Sequence, residues 1–390
     1  MQMTTTYRVV AIVPFYPPAF NGGGPIRSIH AMAQLAPKDM TVSVLTGDRD
    51  LGAEERLPVV ANAWVKKDGV DVYYATIGSW LGYMHAMREV RRKRPNLIHL
   101  NSFMNPLFSI IPLMLWRLGF FRGAKVLLAP RGEFGEGALS RRAQKKRAYM
   151  RAFCLLGLPK RVIWHSTAPR ETAEIIQQWG DGVHIVERGN DTLLPRHARE
   201  ITDAPSNAFR AVFLGRIVEH KGLHIVLEAL KSVTVPLEFH VYGSREQEAY
   251  FAECQSRAAE IPRHIQLAFH GPVAPGDVVT VLSGYDVMLM PTAGENFGHV
   301  IAEALCASCA VATTPHTPWT PILEGGGGLV IARSAGAWAE ELQRLATEPA
   351  AERRLRRAAA GTAYENWAKR TPDAHVWMLA RAALADSRTA

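Results

Sequence analysis

Two glutamates eight positions apart, Glu295 and Glu303, bracket a helix start in the segment VMLMPTAGENFGHVIAEAL. Val287–Met290 is apolar and short, so it reads as a strand, and a helix is expected to begin near Phe297–Gly298. The amides of Phe297, Gly298, His299 and Val300 would then point out of the positive end of the helix dipole, which suits a diphosphate. Gly298 has no side chain to keep a phosphate away from the backbone. At 1.5 Å per residue, Glu303 lies about 7–9 Å into the helix. A carboxylate on each side of a diphosphate suits a ligand with hydroxyl groups at both ends. Glu303 would accept from a ribose and Glu295 from a second sugar. Taken alone, the pair would read better as an N-terminal helix acid and a solvated glutamate; the next segment tips the balance toward a ligand.

A second segment, FRAVFLGRIVEHKGLHIVLEAL, supplies the opposite charge. A strand ends at Gly215, Arg216 follows, and Lys221 precedes Gly222 at the next helix start. A guanidinium and an ammonium held there would stabilise charge growing on a departing phosphate. Two solvated cations beside a turn are the ordinary alternative.

Two further loops carry candidate contacts. After the first strand come Asn21, Gly22, Gly23, Gly24 and Pro25. Gly23 and Gly24 let the backbone pass close to a ligand, and Pro25 suits a first helical turn. This is not the dinucleotide fingerprint, because G-x-G-x-x-G is absent from the loop. In VLLAPRGEFGEGAL a strand ends before Arg131, Gly132 and Glu133, where Arg131 or Glu133 would meet an acceptor or a sugar. A salt bridge within the loop is the alternative.

These loops need strands behind them. Short β-branched runs recur along the chain: YRVVAIVPF, TVSVLTG, VDVYYAT, NLIHLNS, KVLLAP and RVIWHST, then FRAVFLG, LEFHVYG, IQLAFHG, VMLMPT, CAVATT and GGLVIA. Helical patterns alternate with them, which implies parallel, doubly wound sheets. Six runs on each side of the polar segment from Asp191 to Asn207 imply two sheets and a cleft between their carboxyl ends, where ligands of such sheets bind. The expected domains are 1–192 and 193–367, with a terminal helix from about 368 to 390, around Trp367–Leu384, returning to the first domain.

Composition bounds the partners. The chain has 390 residues, 48% hydrophobic and 21% charged, as in ordinary globular proteins. Residues 1–190 hold 26 Lys and Arg against 14 Asp and Glu, a net of +12, while the remainder nets −3. The basic runs Arg88–Arg94 and Ser140–Arg151 suit anionic lipid headgroups, with Arg142, Lys145 and Lys146 at helical spacing; solvated helix faces are the bland reading. No nucleic-acid-binding motif accompanies the charge, so nucleic acid is not an expected partner. Leu107 to Phe121 is apolar but too short for a membrane span and reads as a core helix. The four cysteines, including Cys306 and Cys309, are expected to be buried and structural. The opening MQMTTTYRVVAIVPF leads directly into a strand with no leader pattern, and a cytoplasmic place is expected.

Together the four segments resemble the family 4 retaining glycosyltransferases of the GT-B fold, α/β proteins with two Rossmann-like domains facing a central cleft. The resemblance covers nearly the whole chain. ENFGHVIAE matches the family's paired-glutamate motif and GRIVEHKG its Arg-Lys clamp. The Gly-rich loop and APRGEFGEGAL look like a subgroup that builds bacterial surface polysaccharides. The resemblance implies that Glu303 binds ribose, Arg216 and Lys221 the diphosphate, and Glu295 the sugar. It places Gly215, Tyr242, Gly243 and the loop with Pro272 and Val273 around the nucleotide. It also implies a nucleoside-diphosphate sugar donor, with UDP, GDP and ADP all open as the nucleotide, a lipid-linked glycan acceptor in exopolysaccharide or lipopolysaccharide synthesis, retention of configuration, and a place in the cytoplasm or on the inner face of the plasma membrane. No metal or other cofactor is expected. One departure is clear: many members have His-Gly after the fifth strand, with the His at the sugar, whereas here Arg131 precedes Gly132.

Two other readings stay open. Asp48-Arg49-Asp50 after TVSVLTG would suit a manganese-dependent transferase of a single-domain fold. A non-catalytic sugar-nucleotide-binding protein would bind tightly without turnover.

Overall fold

The structure is a computed structural model that describes residues 6–135, 143–202, 208–370 and 374–386. The chain divides into two compact units, Met1–Thr192 with Pro372–Ala390, and Leu193–Thr371.

The first unit holds an eight-stranded sheet in the order β3-β4-β2-β1-β5-β6-β7-β8. Its strands are β1 (Tyr7–Ile12), β2 (Met40–Gly47), β3 (Trp64–Lys67), β4 (Val70–Ala75), β5 (Leu97–Leu100), β6 (Lys125–Leu128), β7 (Ile163–Ser166) and β8 (His184–Glu187). All neighbours are parallel except β3 and β4. The period-2 alternation of strand side chains divides the core into two layers. Val10 and Ile12 face Phe103, Phe153 and Trp164. Val9 and Ala11 share the other layer with Ile29, Met32 and Trp377. Trp377 belongs to the helix Val376–Asp386. The indole Nε1 of Trp377 donates to His99 Nδ1 at 3.2 Å, and His375 Nε2 donates to the Met32 carbonyl at 3.0 Å.

The second unit holds six parallel strands in the order β11-β10-β9-β12-β13-β14. They are β9 (Arg210–Leu214), β10 (Leu237–Tyr242), β11 (Ile265–His270), β12 (Val287–Met290), β13 (Ala310–Thr313) and β14 (Gly328–Val330). β9, β12 and β13 are apolar almost throughout because helices cover both sheet faces.

Several expectations need correction. The stretch Leu107–Phe121 is not one helix: a wide turn over Pro106–Ile110, capped by Asn105, leads into Ile111–Arg117. The terminal helix expected from about 368 is the shorter Val376–Asp386, and Trp367 belongs instead to the preceding helix Ala350–Arg370, its ring tilted 4.7 Å from that of Trp319 inside the second unit. Cys254, Cys306 and Cys309 are buried, but Cys154 is exposed. Among the described residues no helix is long and apolar enough to cross a membrane. Arg142 lies outside the described residues, while Lys145 and Lys146 lie on the helix Ala143–Leu155.

Candidate active site

In the second unit the candidate residues gather at the carboxyl ends of the strands. Gly215 extends the β9 ladder by donating to the Tyr242 carbonyl at 3.0 Å. Gly243 follows β10, and a Cβ there would lie 1.8 Å from the Gly215 carbonyl oxygen, so the two strand ends approach in a way only glycine allows. The Tyr242 ring stacks on His270 with centroids 4.4 Å apart. Its hydroxyl lies 3.0 Å from that of Tyr285, which in turn lies 2.6 Å from His240 Nδ1. Pro272 is exposed just beyond β11, and Val273 packs against the core.

Lys221 and Glu295 meet directly. Lys221 Nζ lies 2.5 Å from Glu295 Oε1, with both side chains close to nine-tenths buried. Thr292 Oγ1 donates to the same oxygen at 2.9 Å. Lys221 ends a short 3-10 turn, Glu219–Lys221, whose exit residue Gly222 has φ 76°. A Cβ on Gly222 would stand 2.2 Å from the Pro291 carbonyl oxygen, so glycine is required both by the left-handed backbone and by the loop pressed against it. The Ala293 amide donates to the His220 carbonyl at 2.8 Å and fastens the two loops together.

Arg216 is placed differently. Its guanidinium pairs with Glu246 at 2.8 Å and is more exposed than Lys221. Both cations nevertheless act on His220, which also feels Glu295 and Arg333. Burial, then the Lys221 charge, holds the His220 imidazole below its usual pKa. Arg333, which follows β14, donates from Nε to the Pro291 carbonyl at 3.1 Å. Thr292, His220, Glu246 and Arg333 are thus members of the site that the motifs did not reveal.

The helix His299–Cys306 starts one residue later than expected, with Gly298 as its cap at φ 77°. Amides at a helix start lack the usual acceptor four residues back, so an anion can sit at this end, although the Ile301 amide already donates to the Gly298 carbonyl at 2.9 Å. Glu303 is 7% exposed on the second turn. Val300 packs against the core, and His299 lies beside the Phe297 ring at 4.6 Å. The Phe297 ring itself is buried against Trp319, whose indole nitrogen donates to the Phe297 carbonyl. Phe297 therefore shapes the turn through packing and has only backbone to offer a ligand.

In the first unit Gly23 caps the helix Gly24–Gln34 with φ 70°. The preceding turn is held by Asp50, whose carboxylate accepts from the amides of Phe20 at 2.9 Å and Asn21 at 3.1 Å. Asp48 accepts from the Thr76 hydroxyl at 2.8 Å and lies 3.4 Å from Arg56 Nε. The two carboxylates expected of a metal pair are thus spent on the loop and on separate partners. Among the described residues no three His, Cys, Asp or Glu side chains gather as a metal site would need.

Arg131 has φ 54° and forms no ion pair with Glu133. Arg131 Nε donates to Asn101 Oδ1 at 2.5 Å and a terminal nitrogen to Asn190 Oδ1 at 2.6 Å. The second terminal nitrogen is enclosed without an acceptor. Burial pulls the guanidinium down to about 10, opposed by the charge of Glu171. Glu171 accepts from the Gly132 amide at 2.8 Å. Glu133 accepts from the Ser102 hydroxyl and from the amides of Phe103 and Met104 at 2.6–2.8 Å, and burial raises its pKa. Glu133 is therefore committed to the 102–104 turn of its own unit.

A family model described as glycosyl transferases group 1 matches residues 196–362. The chain is 26% identical over 211 residues to a D-inositol 3-phosphate glycosyltransferase of Arthrobacter sp. (strain FB24), covering 50% of each protein. It is 22% identical over 287 residues to the protein of that name from Corynebacterium glutamicum (strain R), covering 69% of this chain and 68% of the relative. The chain thus spans 50% and 38% of the length of the first two curated relatives it matches. Among solved structures, Anabaena HepE in complex with UDP and glucose superposes with a TM-score of 0.72 at 14% identity, over 97% of this chain and 100% of that one. Sucrose-phosphate synthase from Thermosynechococcus elongatus gives 0.76 at 14% identity, over 98% and 100%. The chain has the GT-B fold: two α/β, Rossmann-like domains.

Proposed function

We propose that this protein is a retaining glycosyltransferase that moves a sugar from a nucleoside-diphosphate donor to an acceptor hydroxyl. The observation that carries this reading is the Lys221–Glu295 ion pair beside the open end of the helix His299–Cys306. A donor diphosphate would take the place of Glu295 on Lys221, with the helix amides on its other oxygens. Glu295, released from the ammonium, would accept from hydroxyls of the transferred sugar. Glu303 would accept from the ribose. Arg216 would leave Glu246 for the outer phosphate.

The anomeric carbon–oxygen bond to the phosphate breaks as the acceptor oxygen attacks the same face. The acceptor proton passes to the leaving phosphate oxygen. Negative charge grows on that phosphate as the bond breaks, so fixed cations lower the barrier rather than only tightening binding. No divalent metal takes part in this scheme. A UDP-sugar is the preferred donor, a choice supported by the UDP and glucose bound in HepE.

The acceptor in this reading is a lipid-linked glycan of polysaccharide or lipopolysaccharide synthesis, bound by the first unit at the inner face of the plasma membrane. The net charge of +12 over residues 1–190 supports an anionic surface as its partner. The WaaG glycosyltransferase, involved in lipopolysaccharide biosynthesis, shares the fold with a TM-score of 0.62 at 17% identity, over 96% of this chain and 98% of that one. The test is turnover: UDP-, GDP- and ADP-sugars are supplied with a membrane lipid extract, and nucleoside diphosphate release and glycolipid product are measured. Tight donor binding with neither transfer nor hydrolysis would favour the non-catalytic reading.

A further inference from the structure

We infer that the first unit carries a second anion site, specific for a phosphate group, at the amino-terminal edge of its own sheet. A hollow of about 340 Å³ is lined by Trp116, Gly119 and Phe121 and by three arginines, Arg117, Arg122 and Arg161. Arg117 ends the helix Ile111–Arg117, Arg122 lies three residues before β6, and Arg161 two before β7. β6 and β7 are parallel neighbours, so the hollow sits at their amino ends. Arg131 and Gly132 follow the carboxyl end of β6 and belong to the other edge of this sheet.

The charge at this hollow has no internal counterweight. Arginines such as Arg344, paired with Glu341 and Glu348, and Arg257, paired with Glu253 and Glu228, have their charge met within the fold. Among the described residues, Arg117, Arg122 and Arg161 have no carboxylate partner. The sequence explains why. From Val90 to Gly132 there are eight Lys or Arg and no Asp or Glu, and from Gly137 to Arg170 nine and none. The hollow is built where these two acid-free stretches meet.

Its walls are fixed in advance. The Trp116 indole donates to the Ala124 carbonyl at 2.8 Å, and the Phe120 and Arg161 amides donate to Leu115 and Leu158 carbonyls at 2.9 and 3.0 Å. Three guanidinium groups offer forked donors that match the oxygens of a phosphate. A phosphate would also relieve their mutual repulsion. Leu118, 82% exposed between Arg117 and Gly119, adds an apolar contact at the rim, as a phospholipid headgroup with its chains would need. A soluble phosphate ester offers the same recognition chemistry without that contact.

The experiment uses the full chain and the variant R117Q/R122Q/R161Q, whose exposed positions leave fold and donor turnover unchanged. In one arm inorganic phosphate is titrated calorimetrically, with R216Q/K221Q as a second variant to remove the active-site cations. In the other, sedimentation with phosphatidylglycerol and phosphatidylcholine vesicles is compared. R88Q/R147Q/R151Q carries the same change in net charge and serves as the control. The expected result is a loss of at least about tenfold in phosphate affinity or anionic-vesicle binding in R117Q/R122Q/R161Q. The phosphate site persists in R216Q/K221Q, and the control loses less. Vesicle dependence identifies a lipid headgroup; a phosphate effect without it identifies a soluble ester. The proposal is overturned if R117Q/R122Q/R161Q matches the wild-type chain in both arms, or if the control loses binding equally.

Discussion

Lys221 Nζ stands 2.5 Å from Glu295 Oε1, across 74 positions of sequence, and both side chains are largely shielded from water. A pair this enclosed holds each partner in place for the other. It also stores a charge that a phosphate can claim, because the ammonium exchanges one oxyanion for another.

Lys221→Ala and Arg216→Ala are both expected to lower kcat by roughly 10²–10³. They differ in stability. Removing Lys221 leaves a buried carboxylate unpaired, a loss of about 3–5 kcal/mol. The Arg216–Glu246 pair is exposed, and its loss costs about 1 kcal/mol or less. Steady-state kinetics beside urea unfolding checks both parts. Full activity in either variant would remove that cation from the mechanism.

Activity is expected to persist in excess EDTA, with added Mg²⁺ or Mn²⁺ changing it only modestly. Asp50 is engaged with the amides of Phe20, Asn21 and Leu51, and Asp48 with Thr76. Complete loss in EDTA restored by Mn²⁺ would favour the metal-dependent reading. Asp48→Asn and Asp50→Asn would then identify the ligands.

Stability is expected to fall with pH below about 6.5. His99 and His165 are fully buried on β5 and β7, and desolvation holds both imidazoles well below their ordinary value. The cations Arg131 and Arg188 and the imidazole of His375 oppose their protonation further. The unfolded chain takes up these protons near pH 6.5 while the folded one refuses them. The loss therefore begins there and continues down toward the depressed values, by up to about 1.4 kcal/mol per pH unit for each ring. Urea unfolding at pH 7.5, 6.5 and 5.5 measures the slope. A flat profile over this range would contradict the burial of neutral rings.

Much of the fold could be read from local patterns. All twelve apolar runs are strands, because helices cover both faces and leave no alternation to confuse the signal. The two missed strands lie at or toward a sheet edge: β3, WVKK, turns charge to solvent, and β8, HIVE, is half exposed. Motif spacing found the residues that share one loop, such as Glu295, Gly298 and Glu303. It could not find partners brought together by folding. Arg131 takes its acceptors from Asn101 and Asn190, and Arg333 reaches the Pro291 carbonyl from another strand end. Nor does anything local show that the Asp50 carboxylate is used by the turn at Phe20.

The central claim is that a nucleoside-diphosphate sugar binds at the carboxyl end of the second sheet, with Glu303 on its ribose. Calorimetric titration of UDP-, GDP- and ADP-sugars into the full chain and into Glu303→Ala tests it most directly. At least one donor should bind the wild-type chain, and Glu303→Ala should weaken it by about tenfold or more, the loss of a hydrogen bond to a charged group. KM should rise more than kcat falls, since the ribose contact is made in ground and transition states alike. Binding of none of the three donor classes, or equal affinity in the variant, would contradict the account.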